Sequence, residues 1–184
     1  MARPAHSQER PGAPESNAGD EFHVLWAARR AVRLLDAQSA VQRVIVEGVG
    51  PTDDPDGDDA FLGADLTEFE GGDSFDDAAR TVISQLKYST RHPNREWTAA
   101  RLAAGGHGPK QKRPVIHRLA QQVRRLREDH GAEAVCEKLQ IRLVSNQPSS
   151  RGLLDALDAA QELLTGTSPP SGTNSLIGRL AADE

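Results

Sequence analysis

The chain has 184 residues, enough for one domain, with a net charge of −5 and 37% hydrophobic residues. That balance supports a single core and argues against coating nucleic acid by bulk charge, while leaving room for a local basic patch. The single cysteine, Cys136, excludes an intramolecular disulfide framework and a cysteine-based zinc site, and its helical surroundings read as a small core residue.

Residues 1–18, MARPAHSQERPGAPESNA, are rich in proline, glycine, serine and charge and lack the apolar centre of a signal peptide. They read as a disordered leader, with order beginning near Gly19. In DEFHVLWAARRAVRLLDAQ, Phe22, Leu25, Trp26, Val32 and Leu35 fall near helical spacing, and Asp20 and Glu21 suit a helix N-terminus. VQRVIVEGVG predicts a strand over 43–49, PTDDPDGDDAFLG an acidic loop, and ADLTEFEGG a second strand. DSFDDAA is a short connection into a third strand, TVISQLKYS. Three strands with no helix between them favour a meander.

Helices follow: NREWTAARLAAGG, then RPVIHRLAQQVRRLREDHG with Val115, Leu119, Gln122 and Leu126 down one stripe, then GAEAVCEKL. QIRLVSNQP reads as a fourth strand, and GLLDALDAAQELLTG as a last amphipathic helix capped by Gly166. The tail, 167–184, reads as a linker. The order predicts an α/β sandwich: a small mixed sheet flanked by helices, in one domain over 19–166. No apolar run approaches the roughly 18–20 residues of a membrane span, so a cytoplasmic protein without a membrane partner is expected.

Most chemical motifs fail on inspection. Aligning Gly57 with the glycine of a calcium loop puts Thr52 and Gly63 where carboxylates belong, so the acidic loop reads as a solvated turn. The histidines lack zinc spacing, and GGHGPK at 105–110 lacks the spacing of a phosphate loop. What remains is Asp65 and the triplet Gln85-Leu86-Lys87. Alternation puts Asp65, Thr67 and Phe69 on one strand face and Ile83, Gln85 and Lys87 on another. If the two strands are neighbours, a carboxylate, an amide oxygen and an ammonium meet. Asp65, the Gln85 carbonyl and the Leu86 backbone carbonyl suit a hard cation, and Lys87 suits a water or a phosphate charge. The alternative is an edge-strand lysine that reaches water or pairs with Asp65. Spacing alone leaves both open.

Asp65 followed after nineteen residues by Gln85-x-Lys87, with a helix before and after, resembles the PD-(D/E)xK nuclease superfamily. GDEFHVLWAARRAVRLL, VIVEG, GADLTEF, SQLKYSTRHP with REWTAARL, and IRLVSNQP are similar to segments of dsDNA endonuclease domains. Those domains stand at the N-termini of bacterial anti-phage effectors, CD-NTase-associated endonucleases and signalling ATPases among them. The likeness runs from Gly19 to Leu164. It implies a restriction-endonuclease-like α/β sandwich, a Mg²⁺ or Mn²⁺ cofactor and double-stranded DNA as substrate. It further implies a sensor or ATPase module on the same or a partner chain, and by analogy a homo-oligomer. By the same resemblance Asp65 matches the metal-binding aspartate, Gln85 the variable acidic or amide ligand, and Lys87 the catalytic lysine. Glu47, on the first strand, or Glu21, on the first helix, matches an extra acid, with Glu47 favoured because strand one should adjoin strand two. A neutral Gln85 departs from the commoner carboxylate. The resemblance therefore spans an active nuclease and a degenerate relative that binds DNA or a partner protein without cutting.

Arg91, His92 and Arg95, just beyond the third strand, are placed to reach a scissile phosphate. Lys110, Lys112 and Arg113, with His117 and Arg124 opposite the apolar stripe of the next helix, suit backbone contacts along a duplex or an ordinary solvated face. Aromatic residues make up only 4%, so stacking on single strands is not the expected mode.

Overall fold

A computed structural model describes residues 13–49, 64–104 and 114–165. The acidic loop around Gly57, the 105–110 glycine-rich loop, Lys110, Lys112, Arg113, Gly166 and the 167–184 tail lie outside the described residues, as does the leader through residue 12.

Four strands form one sheet in the order β1 (Val41–Val46), β2 (Leu66–Glu70), β3 (Arg80–Lys87) and β4 (Leu139–Ser145). The first three run antiparallel as a meander, and β4 returns parallel to β3. The parallel return needs a long crossover, which α2 (Ala99–Ala103), α3 (Val115–His130) and α4 (Ala132–Lys138) supply. Helix α1 (Ala13–Ala31) with a 3₁₀ turn over Val32–Leu35 precedes the sheet, and α5 (Arg151–Thr165) follows it. This is an α/β sandwich on a mixed sheet, as the order of elements predicts. Among the described residues no helix is long and apolar enough to cross a membrane.

Helices α3 and α4 cover one sheet face. There Phe69 and Ile83 pack with Phe75, Ala78, Leu126 and Val135 as the apolar core. Leu119, Gln122 and Leu126 are the buried residues of α3, the stripe its periodicity predicts. Gly131, with φ of +85°, turns the chain between α3 and α4 in a region that costs a residue with a Cβ. At Gly72 a Cβ would lie 2.5 Å from the Asp77 carbonyl carbon, so the tight connection before β3 requires glycine.

The other face departs from expectation. Helix α1 begins at Ala13, before the expected start at Gly19, because the backbone of a first helical turn tolerates proline. Of its five spaced apolar residues, Phe22 and Trp26 are half-buried and the other three are exposed. Leu25 is 61% exposed, Val32 62% and Leu35 85%, while Arg30 is buried. The cause lies in β2, where Glu68 is 0% exposed and must be neutralised. Arg30 Nε donates to Glu68 Oε1 at 2.8 Å, Arg33 Nη1 lies 3.8 Å from the same oxygen, and Arg142 Nη1 lies 4.0 Å from Oε2. A buried carboxylate therefore draws Arg30 inward and leaves Leu25, Val32 and Leu35 outward. Cys136 is exposed rather than in the core, because the short α4 buries only the preceding Val135.

Candidate metal and phosphate site

The site is built where β2 begins and β3 ends. Asp65 is the residue before β2, not within it, and its main chain continues the sheet on both sides. Its N–H donates to the Ser84 carbonyl, and its carbonyl accepts from Glu47 N–H, both at 3.0 Å. The β2–β3 ladder closes at Leu66 opposite Ser84, so Gln85, Leu86 and Lys87 extend beyond β2 with β4 alone beside them. The Asp65 carboxylate fills that step. Its Oδ2 accepts from Leu86 N–H at 2.5 Å and from Gln85 Nε2.

Gln85 is 0% exposed, and its Oε1 is buried with no hydrogen-bond partner. In a strand the N–H and C=O of one residue point to the same lateral side, so the Leu86 carbonyl is turned toward Asp65. Lys87, half-buried, ends β3 opposite Ser145 and shares a strand face with Gln85. Strand β3 is interior to the sheet, but at Lys87 itself only β4 lies beside it, and the side chain is half-buried.

Glu47 is not on the first strand. Strand β1 stops at Val46, and Glu47 follows it, exposed and with φ of +56°, a left-handed conformation uncommon outside glycine. Its backbone adjoins Asp65. Glu21 is exposed on α1. The residue of α1 that approaches the carboxylate is His23, whose Nε2 lies 4.0 Å from Asp65 Oδ2. Its neighbour Phe22 stacks on Tyr88 with ring centroids 5.0 Å apart, which pins α1 over the end of β3. A histidine two residues after Glu21 was the sequence signal for this placement, but only the Phe22–Tyr88 contact gives it meaning.

Beyond Lys87 the chain is stapled into a ledge that the sequence did not reveal. Trp97 is buried and its Nε1 donates to Ser145 Oγ at 3.0 Å. The Arg101 guanidinium lies 3.8 Å from the Trp97 ring centroid. It also donates to the Arg95 carbonyl at 2.9 Å and to Gln147 Oε1 at 2.7 Å. Burial, and then the like charge of Arg95, hold Arg101 below the ordinary arginine value. Arg91, His92 and Arg95 are exposed in this segment, which follows Lys87 in the chain. Arg124 does not join them: it lies on the exposed side of α3, opposite the stripe that meets the sheet.

Mg²⁺ is usually held by one or two carboxylates, with water and phosphate oxygens completing its shell. Among the described residues no three His, Cys, Asp or Glu side chains gather as a metal site. The donors present are one carboxylate, Asp65, the orphaned Gln85 Oε1 and the Leu86 carbonyl. These fit a hard cation that keeps part of its water. A cation at this carboxylate requires the Gln85 amide to be reversed, with Oε1 toward Asp65. The two ends of an amide are nearly isosteric, so the same cavity accepts either orientation.

No protein-family model matches the chain, and no curated protein matches its sequence.

Proposed function

We propose that this chain is a metal-dependent DNA endonuclease domain of PD-(D/E)xK type, the effector part of a bacterial anti-phage defence protein. The observation that carries the reading is the meeting of Asp65 with a buried amide whose oxygen has no partner, beside Lys87 at the open end of two neighbouring strands. The defence role rests on the resemblance of the segments between Gly19 and Leu164.

Asp65, Gln85 Oε1 and the Leu86 carbonyl would hold Mg²⁺ or Mn²⁺, with Glu47 at the edge of the site as a further acid. When bound, the ion supplies Lewis acidity toward a phosphate oxygen. Lys87 orients the attacking water and stabilises the charge that grows on the phosphate as the bond to the leaving sugar oxygen breaks. Arg91 and Arg95 contact flanking phosphates of a duplex, which fixes register without reading sequence.

A second reading, a nuclease-fold module that binds DNA or a partner protein without cutting, is favoured by the neutral Gln85 and the single carboxylate at the centre. Plasmid cleavage with Mg²⁺ or Mn²⁺ separates the two. The first reading expects nicking or linearisation by the wild type and loss of it in Lys87→Ala and Asp65→Asn. Cleavage that survives both substitutions sinks the site assignment. No cleavage, with salt-sensitive retention of DNA, supports the second reading.

A further inference from the structure

The outer side of α1 is apolar, where a surface helix is ordinarily polar. Among the described residues, nine large hydrophobic side chains are exposed, and five of them, Val24, Leu25, Val32, Leu34 and Leu35, lie on α1 and its 3₁₀ turn. The inward side is occupied as well: Phe22 and Trp26 are half-buried, and Arg30 is buried on Glu68. A helix with apolar residues on both sides is built to be covered twice.

Spacing orders the outer residues into a row. Leu25, Ala28 and Val32 are three and four apart, so they share one helix face, and all three are exposed. Leu35 continues the row, because three residues make one turn of the 3₁₀ segment. Apolar residues at alternating steps of three and four form the seam by which one helix packs on another. Charge then selects the helix that fits. Exposed Glu21 and exposed Arg29 stand four residues before and four after Leu25, on the same side. A second copy of α1, laid antiparallel and crossing at Leu25, sets Glu21 against the partner's Arg29 and Arg29 against the partner's Glu21. The face is self-complementary under a twofold axis, as an isologous dimer requires.

We propose that the chain pairs with a second copy of itself through the outer face of α1, with the twofold axis at Leu25. The two Leu25 side chains cover each other at the centre, and the Glu21–Arg29 pairs close the contact on both sides. One helix from each copy gives less than the roughly 800 Å² per partner of a standard interface, so the dimer is weak and depends on concentration. His23 stands two residues from the axis, with its Nε2 4.0 Å from Asp65 Oδ2. The pairing therefore also sets the spacing between the two candidate sites, and it holds whatever those sites bind.

The test is sedimentation velocity on the full chain, metal-free, over a concentration series. The wild type shifts from monomer to dimer as concentration rises, and Leu25→Glu stays monomeric. Glu21→Arg turns two attractions into two repulsions and weakens the dimer about tenfold. Adding Arg29→Glu to Glu21→Arg places opposite charges together again and restores association to the wild-type level. A wild type that stays monomeric throughout overturns the inference, as does a dimer that survives Leu25→Glu. A double variant no better than Glu21→Arg overturns the antiparallel crossing. Should Leu25→Glu fail to fold, crosslinking in a Cys136→Ser background decides. Leu25→Cys places two thiols at the axis, within disulfide reach, and forms a covalent dimer faster than Leu35→Cys, ten residues away. Equal or slower crosslinking at position 25 refutes the axis.

Discussion

Replacing Gln85 by glutamate should exchange a hydrogen bond for a repulsion, which a cation or a bound proton should relieve. In the protein Gln85 Nε2 donates to a carboxylate, and the side chain has no access to water. A hydrogen bond to a charged group contributes about 1.5–3 kcal/mol. At roughly 2–4 °C per kcal/mol for a chain of this length, its loss lowers the melting temperature of metal-free Gln85→Glu by about 3–12 °C. Two carboxylates in contact resist ionising together, so the folded variant takes up a proton that the unfolded chain releases. Its deficit is therefore smallest at acid pH and grows as the pH rises. A divalent ion at a hundred times its dissociation constant returns about 2.7 kcal/mol, more than enough to offset the low end of that loss. Differential scanning fluorimetry in EDTA and then in Mn²⁺, at two pH values, reads all three effects. A variant as stable as wild type in EDTA, and indifferent to Mn²⁺, would refute the geometry on which the site is built.

Glu68→Ala leaves Arg30 and Arg142 buried opposite a missing charge, and breaking such a pair costs about 3–5 kcal/mol; urea unfolding should show it, and a change below about 1 kcal/mol would mean the network behaves as a surface ion pair. Arg95→Ala should weaken duplex binding evenly across sequences and reduce the slope of log affinity against log salt by about 1, read by filter binding at several salt concentrations; an unchanged slope removes Arg95 from the DNA surface.

The meander and a mixed sheet were legible because short β-branched runs and glycine pairs bound each strand and helices separate the fourth from the third. The parallel pairing of β4 with β3 was not. The α3 stripe was legible too, Gln122 included, because a single helix face meets the sheet. Periodicity was only partly right on α1: Phe22 and Trp26 are half-buried, but Leu25, Val32 and Leu35 face outward because a buried Glu68 draws in Arg30. Glu68 itself was hidden because β2 is covered on both faces, and alternation marks a polar residue as outward only when one face is open. Asp65 and Gln85 were legible as a spacing, since strand neighbours follow from the meander. Their atomic roles were not, because which end of an amide meets a carboxylate depends on everything behind it. The Trp97–Arg101–Gln147 ledge joins segments some fifty residues apart, and no local pattern announces such a meeting.

The central claim is that Asp65 and Gln85 hold a divalent cation beside Lys87. Anomalous diffraction from crystals grown with Mn²⁺ tests it most directly. The account predicts one strong anomalous peak bounded by the Asp65 carboxylate, the Gln85 amide oxygen and the Leu86 carbonyl. Absence of a peak there, with Gln85 Nε2 still donating to Asp65, would contradict it.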